Sequence, residues 1–242
     1  MAFSEQLKNQ IYSYCENHLP DEDWYSDEFI FIEEGAIRKR IIEEFKGVRF
    51  AYKLYEGLEA TDENLIFEVR HQILSYASSY EAIIHYVLYN YYQETEAFRT
   101  MLYHTVPTKM SFCERQMMEV KNILSRQNEQ IYIFHDQERK KDESQVRFDD
   151  KCKTAKSLGL LKKFRNEHGE EIDLPSEIIE IYGYRNAIHL VAEQRKGIQY
   201  ELDLSKKAYM RMQPFVDQIK AGLARDHKSI YRNLEDFRDE PC

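Results

Sequence analysis

Arg185 and His189 stand four residues apart in the stretch Tyr184-Arg185-Asn186-Ala187-Ile188-His189. On a helix that spacing projects both side chains from one face. It pairs a permanent cation with an imidazole whose reference pKa of about 6.5 lets it move protons near neutrality. The pair suits phosphoryl transfer on RNA, with arginine stabilising charge that builds on the phosphate and histidine serving as acid and base. Asn186, between them, would fix the imidazole tautomer or hold a ribose or phosphate oxygen. Such chemistry needs no metal, and no cofactor is expected. The same spacing also occurs in ordinary helix pairs, whose two side chains are satisfied within one protomer.

Other groupings are weaker. Arg165-Asn166-Glu167-His168 has the same residue types but runs into Gly169, the mark of a solvated turn. Glu119-Val120-Lys121 has no acidic strand ahead of it to supply ligands for two metals. Cys15 and His18 lack a second pair of zinc ligands, and the four cysteines lie far apart without a C-x-x-C pair, so they are expected as free thiols. No glycine-rich phosphate loop and no G-x-S-x-G elbow occurs.

The elements that must position Arg185 read as helices. Asp173-Leu174-Pro175-Ser176-Glu177 opens one that continues through Ile178, Ile181, Tyr184, Ile188 and Val191 to Gly197. Thr61-Asp62-Glu63-Asn64 starts a long spine, expected over about 62–103, whose apolar residues keep helical spacing. The tyrosines at 76, 80, 86, 89, 91 and 92 follow that period and read as packing rather than a base-stacking platform. Further helices are expected over 4–18, 27–57, 112–138 and 146–158, the last capped by Gly159, and from about 203 to 223.

Composition agrees with this reading. Of 242 residues, 43% are hydrophobic and 32% charged, with only 8 glycines and 5 prolines, which favours long helices over a turn-rich sandwich. The expected fold class is all-α, an up-and-down bundle over 61–225 with an acidic helical N-terminal extension over 1–60 and a peripheral tail over 226–242. No stretch supplies about 20 apolar residues for a membrane span. The opening MAFSEQLKNQ lacks a basic end followed by an apolar run, so no signal peptide is expected and the cytoplasm is the expected compartment.

The net charge of −9 is unevenly placed. Residues 1–35 hold nine acids and one base, a surface suited to a protein partner, whereas Arg139–Arg165 holds ten bases against four acids. That basic run could attract phosphates, with Lys151, Lys153 and Lys156 as the expected RNA contacts.

Three stretches together carry a likeness: Ser78-Ser79-Tyr80-Glu81-Ala82, Phe148-Asp149-Asp150-Lys151 leading into Ala155-Lys156-Ser157-Leu158-Gly159-Leu160, and Tyr184-Arg185-Asn186-Ala187-Ile188-His189. Over roughly residues 62–222 the chain resembles the HEPN superfamily, all-α domains of bacterial toxin systems, defence proteins and RNA-processing nucleases. Its Arg-to-His spacing of three residues is shorter than the family's usual one. The resemblance implies a metal-independent endoribonuclease with Arg185, Asn186 and His189 as site residues. It also implies a homodimer whose cleft forms where two copies of the Arg-His helix meet, and products ending in a 2′,3′-cyclic phosphate and a 5′-hydroxyl. Some members of the family do not cut RNA, so the alternative is a dimeric nucleotide- or protein-binding module.

Overall fold

The computed structural model describes residues 2–187, 198 and 200–231. Helices dominate, and the only sheets among the described residues are two two-stranded ribbons. The chain divides into two compact units, residues 1–93 with 148–242, and residues 94–147. This line differs from the expected separation of an N-terminal extension from a bundle.

The first unit is a helical bundle built around α4 (Asp62–Tyr91), with α1 (Glu5–Glu16), α2 (Glu22–Glu28) and α3 (Gly35–Gly57) preceding it. One helix was expected over 27–57, but two form, with Phe29–Glu34 between them. The reason is local: the Asp21 carboxylate caps α2 by accepting from the Trp24 N–H at 2.8 Å. Phe29, Phe31 and Ile32 then leave the helix period and are fully buried. Two tyrosines of α4 hold this stretch: Tyr91 donates to the Phe31 carbonyl at 2.7 Å, and the Glu34 N–H donates to the Tyr86 hydroxyl at 3.2 Å. The N-terminal residues are therefore part of the core, with Phe45 edge-on to Tyr25, Phe29 and Tyr76. Each such ring contributes roughly 1.5–3 kcal/mol by leaving water.

α4 ends at Tyr91, about three turns short of the expected spine. Its tyrosines pack as expected: Tyr76, Tyr80, Tyr86, Tyr91 and Tyr92 are buried. After the second unit the chain returns as α7 (Phe148–Ser157), which is closed by Gly159 at φ +71°, a left-handed conformation that glycine adopts without steric cost. The short ribbon β3 (Phe164–Arg165) and β4 (Glu171–Ile172) leads to α8 (Leu174–Asn186). The last helix was expected as one; it is two, α9 (Leu202–Met210) and α10 (Met212–Arg225), joined at Arg211. α3, α7, α8 and α9 all pack on α4, which makes it the centre of the bundle. The start of the expected peripheral tail is tied in, because buried Ser229 donates to the Phe31 carbonyl at 3.0 Å.

The second unit corrects the reading of 112–138 as one helix, which holds only over Glu114–Ile123 and gives way to a strand. It contains α5 (Glu96–Leu102), β1 (Tyr103–Lys109), α6 (Glu114–Ile123) and β2 (Phe134–Lys140). Pro107 has no N–H and clashes with a preceding helical turn, so the chain extends. β1 and β2 pair antiparallel with Lys109 opposite Phe134 and Tyr103 opposite Lys140. The ladder continues one step, from the Met110 N–H to the Ile133 carbonyl at 2.8 Å. Arg99 of α5 reaches Glu138 of β2 at 3.1 Å. Among the described residues no helix is long and apolar enough to cross a membrane.

Candidate functional site

Arg185 sits in the last turn of α8. The helix starts where expected: the Asp173 carboxylate accepts from the Ser176 N–H, and Pro175 occupies the first turn. Leu174, Ile178 and Ile181 bury one face, and Tyr182 and Arg185, three residues apart, flank it. A cation in the last turn is also favourable beside the partly negative helix end.

The Arg185 guanidinium is held from two sides. Its Nη1 donates to the Tyr182 hydroxyl at 2.7 Å, and Glu81 Oε2 of α4 lies 3.9 Å away. The Tyr182 hydroxyl in turn donates to Glu81 Oε2 at 3.0 Å. The ring of Tyr182 stacks on Phe148 of α7 at 4.2 Å between centroids, and the guanidinium carbon sits 4.9 Å from the Tyr182 centroid. Burial, reinforced by the hydrogen bond to Glu81, pushes the Tyr182 phenol up to about 12, so it stays a donor at neutral pH. One-third of the Arg185 side-chain surface remains open.

Lys151 does not take the place expected of it. Its side chain is 7% exposed, and Nζ lies 3.5 Å from Glu81 Oε1. The ammonium is spent inside the protein rather than offered to phosphate, because α7 packs that face onto α4. Lys153 and Lys156, on the outer face of the same helix, are exposed. The basic run Arg139–Arg165 is also divided between the two units, with Arg139 and Lys140 on β2. Beside Lys151, burial pushes the Cys152 thiol up, which makes it unreactive.

Asn186 is exposed at the end of α8, and the following Ala187 is buried. His189, and the expected continuation of the helix to Gly197, lie outside the described residues. Arg165-Asn166-Glu167-His168 forms a β-hairpin turn in which Asn166 Oδ1 accepts from the N–H groups of His168 and Glu170. Among the described residues no group of three or more His, Cys, Asp or Glu side chains gathers to hold a metal ion.

Tyr182 was not anticipated by the sequence reading, and Glu81 appeared there only inside a longer stretch. What the arrangement can do chemically follows from them. Two cations, Lys151 and Arg185, face Glu81, while Asp149 also acts on Tyr182 from α7. The charge is close to balanced, and the guanidinium is fixed in direction before any anion arrives. No family model, curated protein or solved structure matches this chain.

Proposed function

We propose that this protein is an HEPN-type, metal-independent endoribonuclease acting as a homodimer, of the kind found in bacterial toxin or defence systems. The observation that carries the reading is convergence: the three stretches on which the likeness rests meet in space, with Glu81 of α4, Phe148 and Lys151 of α7, and Arg185 of α8 in one cluster. In this mechanism His189 removes the proton of a ribose 2′-hydroxyl, the oxygen attacks the adjacent phosphate, and the P–O5′ bond breaks as the departing 5′-oxygen takes a proton from the partner's His189. Arg185, already oriented by Tyr182 and Glu81, stabilises the charge on the phosphoryl oxygens. Asn186 orients the substrate, and Lys153 and Lys156 contact the RNA backbone. The products are a 2′,3′-cyclic phosphate and a 5′-hydroxyl.

A second reading, a dimeric module that binds a nucleotide or a protein without catalysis, is favoured by one observation. Glu81 already compensates the Arg185 charge within the protomer, as in a structural ion pair. Incubating RNA with the purified wild type and His189→Ala in chelator separates the two. Cleavage by the wild type alone, with cyclic-phosphate ends, supports the nuclease. A folded wild type that binds RNA but leaves it intact supports the module and ends the nuclease reading.

A further inference from the structure

We propose that the ring cluster around Arg49 holds a buried halide-sized anion, chloride, bound by the guanidinium and the hydroxyls of Tyr25 and Tyr76. The inference goes beyond the nuclease reading and does not depend on it. Arg49 stands one turn after Phe45 on α3 and is only 7% exposed. Its guanidinium carbon lies 3.4 Å over the ring of Tyr209 of α9 and 5.6 Å from the Tyr52 centroid. Tyr25 of α2 and Tyr76 of α4, both fully buried, stand edge-on to Phe45 at 6.1 Å between centroids. Stacking covers the face of a guanidinium and leaves its N–H groups, which point outward in its plane, to find acceptors. Around Arg49 none is found: Arg49 Nε, the Tyr25 hydroxyl and the Tyr76 hydroxyl are buried without hydrogen-bond partners. The Arg49 charge acts on both phenols, so the three donors share one place. The guanidinium also approaches the Tyr76 oxygen outside hydrogen-bond geometry, and that approach leaves the phenol's own proton without an acceptor.

Charge and size select the occupant. A buried cation is costly to leave uncompensated, and among the described residues no carboxylate forms an ion pair with Arg49. Glu22 and Glu56, which act on Tyr25 and Tyr52, are tied to Lys46 and Lys53. Asp203 of α9 acts on Tyr52 without pairing with Arg49. The phenols cannot supply the charge themselves. Burial pushes Tyr25 up to about 12 and Tyr76 higher, so both stay protonated and remain donors. Three convergent donors and one positive charge fit a spherical acceptor that carries one negative charge. A water molecule accepts at most two of those protons and leaves the charge unbalanced. A phosphate or a nucleic acid brings more charge and more bulk than a site lined by fully buried rings admits.

Urea denaturation of the full chain tests the proposal, with sodium chloride exchanged for sodium gluconate at constant ionic strength. The expected result is a midpoint that rises with chloride and then saturates, since an anion held only by the folded state stabilises it by mass action. Bromide should act in the same way. Tyr76→Phe keeps the ring and removes one donor, and it should raise the half-saturating chloride concentration roughly tenfold. Arg49→Met removes the charge and should abolish the chloride dependence. Replacing a buried charge by an apolar side chain of similar length is often neutral, so this variant should fold, which circular dichroism checks. Crystals soaked in bromide supply a second readout, an anomalous peak beside Arg49 Nε. A midpoint indifferent to chloride, a chloride dependence unchanged in folded Arg49→Met or in Tyr76→Phe, or a buried water only at that position would each overturn the proposal. His189→Ala should keep the full chloride dependence, which separates this site from the cutting chemistry.

Discussion

Lys151 acts on Arg185 through the Glu81 carboxylate and Tyr182 by a direct hydrogen bond, and each makes a different prediction. Lys151→Ala leaves Glu81 without its buried partner, although Glu81 is itself partly open to water. The variant should lose about 2–3 kcal/mol of stability, below the roughly 3–5 of a fully buried pair, read as a fall in denaturation midpoint. Lys153→Ala and Lys156→Ala should leave that midpoint nearly unchanged and instead reduce the salt slope of RNA binding. Tyr182→Phe removes the acceptor of Arg185 and should cost about 1 kcal/mol. Because the Tyr182 pKa is raised to about 12, its contribution is intact below the ordinary phenol value and is lost as pH rises from 10 to about 12. Chemical denaturation across that window should therefore show the wild type losing more stability than Tyr182→Phe; an equal loss would place the phenol in an ordinary environment. The helical setting of Arg185 was legible in the sequence from the start signals at Asp173 and Pro175. The role of Lys151 was not, since its carboxylate lies 70 residues away and only the packing of α7 on α4 brings them together.

At the level of elements, legibility followed the strength of local signals. α1, α7 and the start of α8 carry their caps in the sequence, at Ser4, Gly159 and Asp173, and formed where expected. The second unit was misread because the helical tyrosine stripe of α4 was extended across a real boundary. Thr95, whose hydroxyl accepts from the Phe98 N–H at 3.2 Å, starts a new helix there. Ile131-Tyr132-Ile133-Phe134, rich in β-branched and aromatic residues, was the available strand signal. β2 itself, Phe134–Lys140, is polar and wholly exposed, so its pairing with β1 could not be read from alternation. Gly159 gives a test of a boundary that was legible. At φ +71° a Cβ is strained, and it would also meet the Arg225 guanidinium at 2.9 Å, while that group is hydrogen-bonded to the Leu158 carbonyl. Gly159→Ala should destabilise the first unit by about 1–2 kcal/mol. A melting temperature equal to the wild type's would mean that the turn after α7 relaxes freely.

For the whole molecule, two carboxylates held by cations of α10 link it to distant parts of the chain, Glu28 through Lys220 and Asp226 through the Tyr92 hydroxyl, and they respond to pH with opposite signs. Lys220 reaches the buried carboxylate of Glu28, 192 residues earlier, at 2.8 Å. Asp226 accepts from the Tyr92 hydroxyl at 2.7 Å and is gripped by Arg225. Burial raises the Glu28 pKa, outweighing the pull of Lys220, so the folded state holds that proton more tightly than the unfolded chain does. Its contribution is therefore fully present below the ordinary glutamate value near 4.5 and is lost as pH rises through the higher folded value. The hydrogen bond from Arg225 lowers the Asp226 pKa, so that contribution is present above 3.8 and is lost as pH falls through the lower folded value. Thermal melts of the wild type, Glu28→Gln and Asp226→Asn between about pH 3 and pH 7 should resolve the two effects. Relative to the wild type, Glu28→Gln should gain stability as pH rises above 4.5, because glutamine carries no charge to bury. Asp226→Asn should be less stable than the wild type near neutrality, and the gap should close as pH falls below 3.8. If Glu28→Gln instead lost ground with rising pH, the attraction of Lys220 would outweigh the cost of burying the carboxylate. The tie between the N-terminal helices and α10 would then be a net electrostatic gain rather than a charge held in place by packing around it.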